Sequence, residues 1–276
     1  MRLGGPIFVN DDPEQWAGEA KRLGYRAAVC PIGNDASADV VANFASVAEK
    51  NDILIAEVGA WSNSISPDDN VRRDAVEYCK RQLALADAIN ARCCVNIAGS
   101  RGDVWDGPHP DNVSDDTFAL IVDTVRDIID SVKPTRTHYA LESMPYTLPD
   151  SPDAYLDLLK AIDRKEFAVH LDPVNLISSP RKLYRNRDFI RECFRKLGPY
   201  ILSCHAKDIA IGPKLTVHLD ERIPGQGSLD YSTLLTELHR LHPDTPVLVE
   251  HLSTEQEYKE AADYIRSVAA NHSIPL

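Results

Sequence analysis

Four side chains able to bind metal close four short apolar runs in the second half of the chain: Glu142 in ALES, Asp172 in HLD, His205 in SCHAKD and Glu250 in LVE. Three carboxylates and one imidazole form an oxygen-rich ligand set. It suits one divalent ion, Mn²⁺ first, with Mg²⁺, Co²⁺ or Zn²⁺ as alternatives, and leaves room for substrate oxygens. Each residue alone could equally form a salt bridge or cap a helix. The repeated placement on successive runs favours a shared cation. Strand alternation supports this: with these four facing one way, Tyr139, Leu141, Val169, Leu171, Leu202, Cys204, Val247 and Val249 face the other, while Leu248 stays on the ligand side. Buried carboxylates left unneutralised would cost several kcal/mol in desolvation, and a dication removes that conflict. Such a centre stabilises the negative charge formed when a proton leaves the carbon beside a carbonyl. One carboxylate can take that proton and another, across the substrate, can return one to the opposite face.

Further candidates surround this set, each with a plainer reading beside it. Glu57, on an apolar strand and inward by parity, is a substrate-site acid or a rim salt bridge; Trp61 stacks on a bound ring or packs a loop; Asn96 bonds substrate hydroxyls or fills a turn. His170, two residues before Asp172, supports a ligand from behind or is a hydrogen-bonded core histidine. Lys207 shares the parity of His205, so it neutralises an oxyanion or pairs with a neighbouring carboxylate. His251 has outward parity and is expected outside the site. The basic run Arg181 to Arg187 grips a phosphate or carboxylate, or is a solvated helix face.

The elements that must position these groups alternate along the chain. Strands are expected at Leu3–Val9, Ala27–Cys30, Ile53–Gly59, Cys93–Ala98, His138–Ser143, Phe167–Asp172, Ile201–Asp208 and Val247–His251, each followed by a helical pattern. One such helix runs from Val71 to Ile89, and another follows a cap at Ser253-Thr254-Glu255-Gln256. Near-continuous apolar strands separated by helices indicate a parallel sheet, and eight such units predict a (β/α)₈ barrel as one domain over residues 1–276. GGPIF lies inside the first strand and lacks the GxGxxG spacing of a doubly wound fold. Long loops at Gly99–Val113, Pro173–Ser179 and Ile209–Ser228 belong on the catalytic face.

At these residues the chain resembles the xylose isomerase-like TIM-barrel superfamily of sugar epimerases, sugar isomerases, inosose dehydratases and endonuclease IV. The resemblance is carried by Glu142 with Pro145, Asp172-Pro173-x-Asn175, His205-x-Lys207-Asp208, Pro224-Gly225-Gln226-Gly227 with Asp230-Tyr231, and Glu250-His251. It implies that Glu142 and Glu250 both bind Mn²⁺ and exchange the substrate proton, with Asp172 and His205 completing the metal site. Two positions depart from the tagatose 3-epimerase-like pattern. Asn175 stands where those enzymes carry a histidine, and Ile211 where they carry an arginine, for which Arg222 is the nearest substitute. The resemblance thus leads to a sugar or sugar-phosphate isomerase or epimerase, with a keto-sugar or keto-inositol lyase, or an inactive sugar-binding barrel, as alternatives. The three-metal centre of endonuclease IV needs extra histidines, whereas the corresponding segments here read EVGAWSN and NIAGSRG. One metal is expected.

Composition sets the outer limits. The 276 residues are 43% hydrophobic and 26% charged, enough for a substantial core. A formal net charge of -12 disfavours nucleic acid as the main partner and leaves a small carbohydrate as the expected one. No apolar run approaches the roughly 20 residues of a membrane span. MRLGGPIFVNDD reads as a strand and not a signal, and the six cysteines show no CxxC pair, so free thiols in a cytoplasmic protein are expected. A homo-oligomer is compatible with all of this.

Overall fold

The computed structural model describes all 276 residues. Eight parallel strands follow the apolar runs: β1 (Arg2–Gly5), β2 (Ala27–Val29), β3 (Leu54–Gly59), β4 (Cys93–Asn96), β5 (Tyr139–Glu142), β6 (Phe167–Leu171), β7 (Ile201–Ala206) and β10 (Pro246–Val249). They close into a barrel in the order β1-β10-β7-β6-β5-β4-β3-β2. The expected α/β TIM-barrel fold is therefore the observed one. Helices α1 (Pro13–Leu23), α2 (Ala38–Lys50), α3 (Asp69–Ile89), α4 (Asp115–Val132), α5 (Pro152–Ile162), α6 (Pro180–Tyr184), α7 (Asn186–Leu197), α8 (Tyr231–His239) and α9 (Glu255–Asn271) surround it. None is long and apolar enough to cross a membrane.

Alternation divides the apolar residues into two layers. Leu141, Val169, Leu171, Cys204, Val247 and Val249 join the large core between strands and helices. Inside the ring, Leu248 packs with Ala27 and Ala56, and Cys93 with Val95 and Ala140. The parity inferred from sequence holds on both sides. The cysteines are all free, as expected, and burial pushes the Cys30 thiol up to about 11 and the Cys193 thiol up to about 12.

Helix ends follow local chemistry. Thr254 and Glu257 form a reciprocal capping box at the start of α9, and Asp68 caps α3 through the amides of Asn70 and Val71. β1 ends four residues earlier than expected, directly before Pro6, which has no N–H to give a ladder.

The largest departure lies after β7. The segment expected as a loop from Ile209 contains an antiparallel hairpin, β8 (Asp208–Ile211) and β9 (Leu219–Arg222), paired Asp208 to Arg222 and Ile209 to Glu221. The chain therefore leaves the barrel at Lys207 and does not continue the strand to Asp208. The Asp208 carboxylate anchors the hairpin. It accepts hydrogen bonds from the amides of Ile209 (2.8 Å), Gly225 (2.9 Å), Gly227 (3.0 Å) and Leu229 (2.9 Å). A Cβ at Gly227 would collide with that carboxylate, which is why the Pro-Gly-Gln-Gly turn needs glycine there.

Candidate active site at the barrel mouth

Glu142 ends β5, Asp172 follows β6, His205 lies near the end of β7 and Glu250 follows β10. These four strands are consecutive around the ring, so their C-terminal ends converge. One ligand atom from each of Glu142, Asp172, His205 and Glu250 lies within 4.8 Å of the others. That spacing is of the size a single divalent cation would span between its ligands. His205 Nδ1 is 3.1 Å from Glu142 Oε1 and 2.8 Å from Glu250 Oε1. Asp172 divides its labour: Oδ1 accepts the amides of Val174 (2.8 Å) and Asn175 (3.1 Å), which fixes the loop start and leaves Oδ2 facing the site.

Lys207 reaches the same point from the end of β7. Its Nζ is 2.9 Å from Asp172 Oδ2 and 2.8 Å from Glu250 Oε1, yet neither contact has hydrogen-bond alignment. Both oxygens, and Glu57 Oε2, are buried polar atoms without a hydrogen-bond partner. Four carboxylates (Glu57, Glu142, Asp172 and Glu250) thus face one lysine, with His205 among them and His170 and His251 at the margin. Donor chemistry, convergence and orphaned oxygens all fit a divalent cation held by Glu142, Asp172, His205 and Glu250.

Protonation preferences reflect this crowding. Burial pushes the Glu142 carboxyl up to about 7, with the charge of His205 opposing and that of Glu250 adding. Burial acts on Glu250 too, but His205 and Lys207 outweigh it and hold that carboxyl below the usual carboxylate range. Burial would depress Lys207, and Asp172, Glu250 and Glu142 reverse the effect and raise it.

A cavity of about 570 Å³ opens above these groups. Glu57, Trp61, Glu142, Asn175, His205, Lys207 and Glu250 line it, joined by Trp105, Asp106, Tyr146, Glu221, His251 and Tyr258. Trp61 folds back over the end of β3, where a Cβ on Gly59 would run into the indole. Asn175 is drawn into the site as a support: its Nδ2 donates to Glu142 Oε1 and to the Ser143 carbonyl, both at 3.1 Å. His170 is fully buried beneath, its ring edge-on to His205 with centroids 4.0 Å apart. It is not the hydrogen-bonded core histidine of the plainer reading, because neither ring nitrogen has a partner. Burial, followed by the charge of His205, pushes its pKa well down.

Three expectations need correction. Asn96 does not reach the cavity. Its side chain accepts from the Ser62 amide and donates to the Ser62 carbonyl, both at 3.1 Å, tying β4 to the loop after β3. Arg222 points away from the site, exposed and bonded to Asp220 and the Glu221 carbonyl. Alternation along β9 instead aims Glu221 inward, 3.9 Å from Lys207 Nζ. His251, expected outside, lies on the cavity wall because a left-handed backbone (φ 57°) cancels strand parity, and its Nδ1 is 3.2 Å from Glu221 Oε2. Glu221 and His251 were hidden in the sequence by an unrecognised hairpin and by one turn residue. The basic run lies on the surface: Arg185 pairs with Asp188, Arg187 with Asp230, and Lys182 bonds the Leu176 carbonyl.

The profile of the xylose isomerase-like TIM barrel matches residues 17–268. The chain belongs to that family. No curated protein matches it at the sequence level. Among solved structures, this family member is similar to a xylose isomerase-like TIM barrel protein from Mycobacterium smegmatis in complex with magnesium, at 17% identity and TM-score 0.69, covering 98% of this chain and 97% of that one. It is similar to a D-psicose 3-epimerase determined in the presence of D-fructose (15%, TM-score 0.70, 98% and 99%). It is also similar to endonuclease IV from Thermus thermophilus (13%, TM-score 0.73, 98% and 100%). These likenesses establish a shared fold spanning whole chains.

Proposed function

We propose that this xylose isomerase-like barrel, acting as one domain, is a metal-dependent epimerase or isomerase of an unphosphorylated keto-sugar. The observation that carries the reading is the convergence of Glu142, Asp172, His205 and Glu250 at the floor of an open cavity. A bound divalent ion, Mn²⁺ by preference, supplies Lewis-acid stabilisation of the charge that develops on the substrate carbonyl oxygen. The protein does the rest. Glu142 and Glu250 come from strands separated in the ring by β6 and β7, so a carbon bound between them would have one carboxylate on each side. One removes the proton beside the carbonyl and the other delivers a proton to the opposite face. Asn175 holds Glu142 in place, and Lys207 adds a fixed positive charge beside Asp172 and Glu250.

The choice of an unphosphorylated substrate follows from the lining. Carboxylates from Glu57, Asp106, Glu142, Glu221 and Glu250 face the cavity and no arginine does, so a phosphate would meet repulsion without a bidentate partner. Trp61, Trp105 and Tyr146 offer flat faces to the carbon-bound hydrogens of a sugar ring.

The test is Mn²⁺-loaded protein incubated with a panel of keto-sugars in D₂O, with products and label position read by NMR. The expected result is an equilibrium mixture of epimers or isomers with deuterium at the reacting carbon. Glu142→Gln and Glu250→Gln should each lower exchange by about 10²–10⁴-fold. Irreversible loss of a hydroxyl would assign a lyase, and binding without exchange at any carbon would assign an inactive sugar-binding barrel.

A further inference from the structure

Glu57 is the one buried carboxylate of the site that does not belong to the convergent set of four. A regular β3 would not carry both Ala56 and Glu57 inward, yet Ala56 packs inside the ring and Glu57 lines the cavity. The ladder explains it: Ala28 pairs with Ile55 and Val29 with Glu57, so one residue of β3 is skipped. Such a bulge re-aims a side chain, and bulges gather beside active sites. Its result is a carboxylate only 4% exposed that bonds no lysine, arginine or backbone amide. The nitrogens near Glu57 Oε2 are those of two histidines, His205 Nε2 at 3.3 Å and His170 Nδ1 at 3.7 Å.

His205 presents its two nitrogens to two different groups. Nδ1 faces Glu142 and Glu250, and Nε2 faces Glu57. A neutral imidazole has one N–H and one lone pair, and a hydrogen bond at one nitrogen decides which atom carries which. We propose that Glu57 is a positioning residue: with a cation on the Nδ1 side, now hydrogen-bonded to Glu142, it takes the Nε2–H of His205 across a 3.3 Å contact that is not yet aligned as a hydrogen bond, fixes the tautomer whose Nδ1 lone pair faces Glu142 and Glu250, and so sets the affinity of the centre for its cation. The inference rests on the metal-centred reading above. His170 packs edge-on against the same ring with no bond of its own, blocking its rotation away from Glu57. Glu57, His170 and His205 also lie within 4.8 Å of one another and resemble a second metal cluster. Cations in both clusters at once would need lone pairs on both nitrogens of His205, which a neutral imidazole does not possess.

The test uses the full-length protein and Mn²⁺ alone as probe, with free Mn²⁺ counted by EPR. Removing such a carboxylate partner of a ligating histidine weakens metal binding by roughly 10–100-fold. Glu57→Ala should show that loss. Glu57→Gln, whose amide oxygen still accepts from Nε2–H, should show a smaller one with an unchanged number of sites. Folding is checked by circular dichroism. The ¹⁵N spectrum of wild-type protein with Mg²⁺ gives a readout that no substitution can spoil, and should report His205 protonated at Nε2. Wild-type binding in both variants, protonation at Nδ1, or two Mn²⁺ per wild-type chain would each overturn the assignment to Glu57 and leave the metal centre standing. Failure of wild-type protein to bind Mn²⁺ would overturn both.

Discussion

Lys207 offers the most direct test of the electrostatics. Its ammonium is 1% exposed and lies 2.9 Å from Asp172 and 2.8 Å from Glu250. At an effective dielectric near 20, each contact is worth about 6 kcal/mol before desolvation. Burying the ammonium cancels much of that. Removing one partner of a buried ion pair nonetheless costs about 3–5 kcal/mol, because the carboxylates are left uncompensated. At about 2.1 cal/mol/K per residue, this chain of 276 residues unfolds with an entropy of about 0.6 kcal/mol/K. Lys207→Met should therefore lower the melting temperature of chelator-treated protein by about 5–9 °C at pH 8. The loss depends on pH. Without Lys207, the folded-state pKa of Glu142, already raised to about 7 by burial, rises further above its unfolded value. That penalty is absent below about pH 4, where the unfolded carboxyl is protonated, and grows as pH climbs to the raised value. Differential scanning fluorimetry at pH 5 and pH 8 should give a clearly larger gap at pH 8, and saturating Mn²⁺ should narrow it by restoring positive charge. A variant that melts within 1 °C of wild type at pH 8, or a gap independent of pH, would show that Lys207 does not balance these carboxylates.

Two further outcomes follow from the walls of the site. Asp208→Ala orphans four backbone amides, and at about 1–3 kcal/mol for each buried donor it should destabilise the fold by at least about 3 kcal/mol in urea titrations. Limited proteolysis should then cut first between residues 224 and 229. Gly59→Ala displaces the Trp61 indole, so KM for the sugar should rise severalfold while kcat and the Mn²⁺ Kd stay within twofold of wild type.

The barrel and the convergence of Glu142, Asp172, His205 and Glu250 were legible in the sequence because both follow from alternation. Leu141 beside Glu142, Leu171 beside Asp172, and Val249 beside Glu250 mark which face is packed, and the ring does the rest. The misses share one cause, since alternation holds only within a regular strand. Asp208 looked like the end of β7 because the break at Lys207 is set largely by three amides distant in sequence, those of Gly225, Gly227 and Leu229. Arg222 was chosen by charge, whereas the hairpin register selects Glu221. The left-handed turn at His251 brought it to the cavity wall against its parity. Asn96 has the chemistry of a sugar-binding residue, but a neighbouring turn uses both ends of its amide. Glu57 was a candidate in the sequence and lines the cavity; only the skipped residue that turns it inward beside Ala56 was not legible there.

The hairpin gives the molecule a place where length is cheap to change. Its tip, residues 212–218, includes a fully exposed Leu215 and lies outside the β8–β9 ladder and the barrel strands that position the four converging side chains. Adding residues there costs only the slow logarithm of loop closure, and Asp208 keeps the base of the ribbon pinned whatever the tip becomes. Diversity in what the cavity admits can therefore accumulate at this ribbon, while the ring beneath retains its chemistry unaltered.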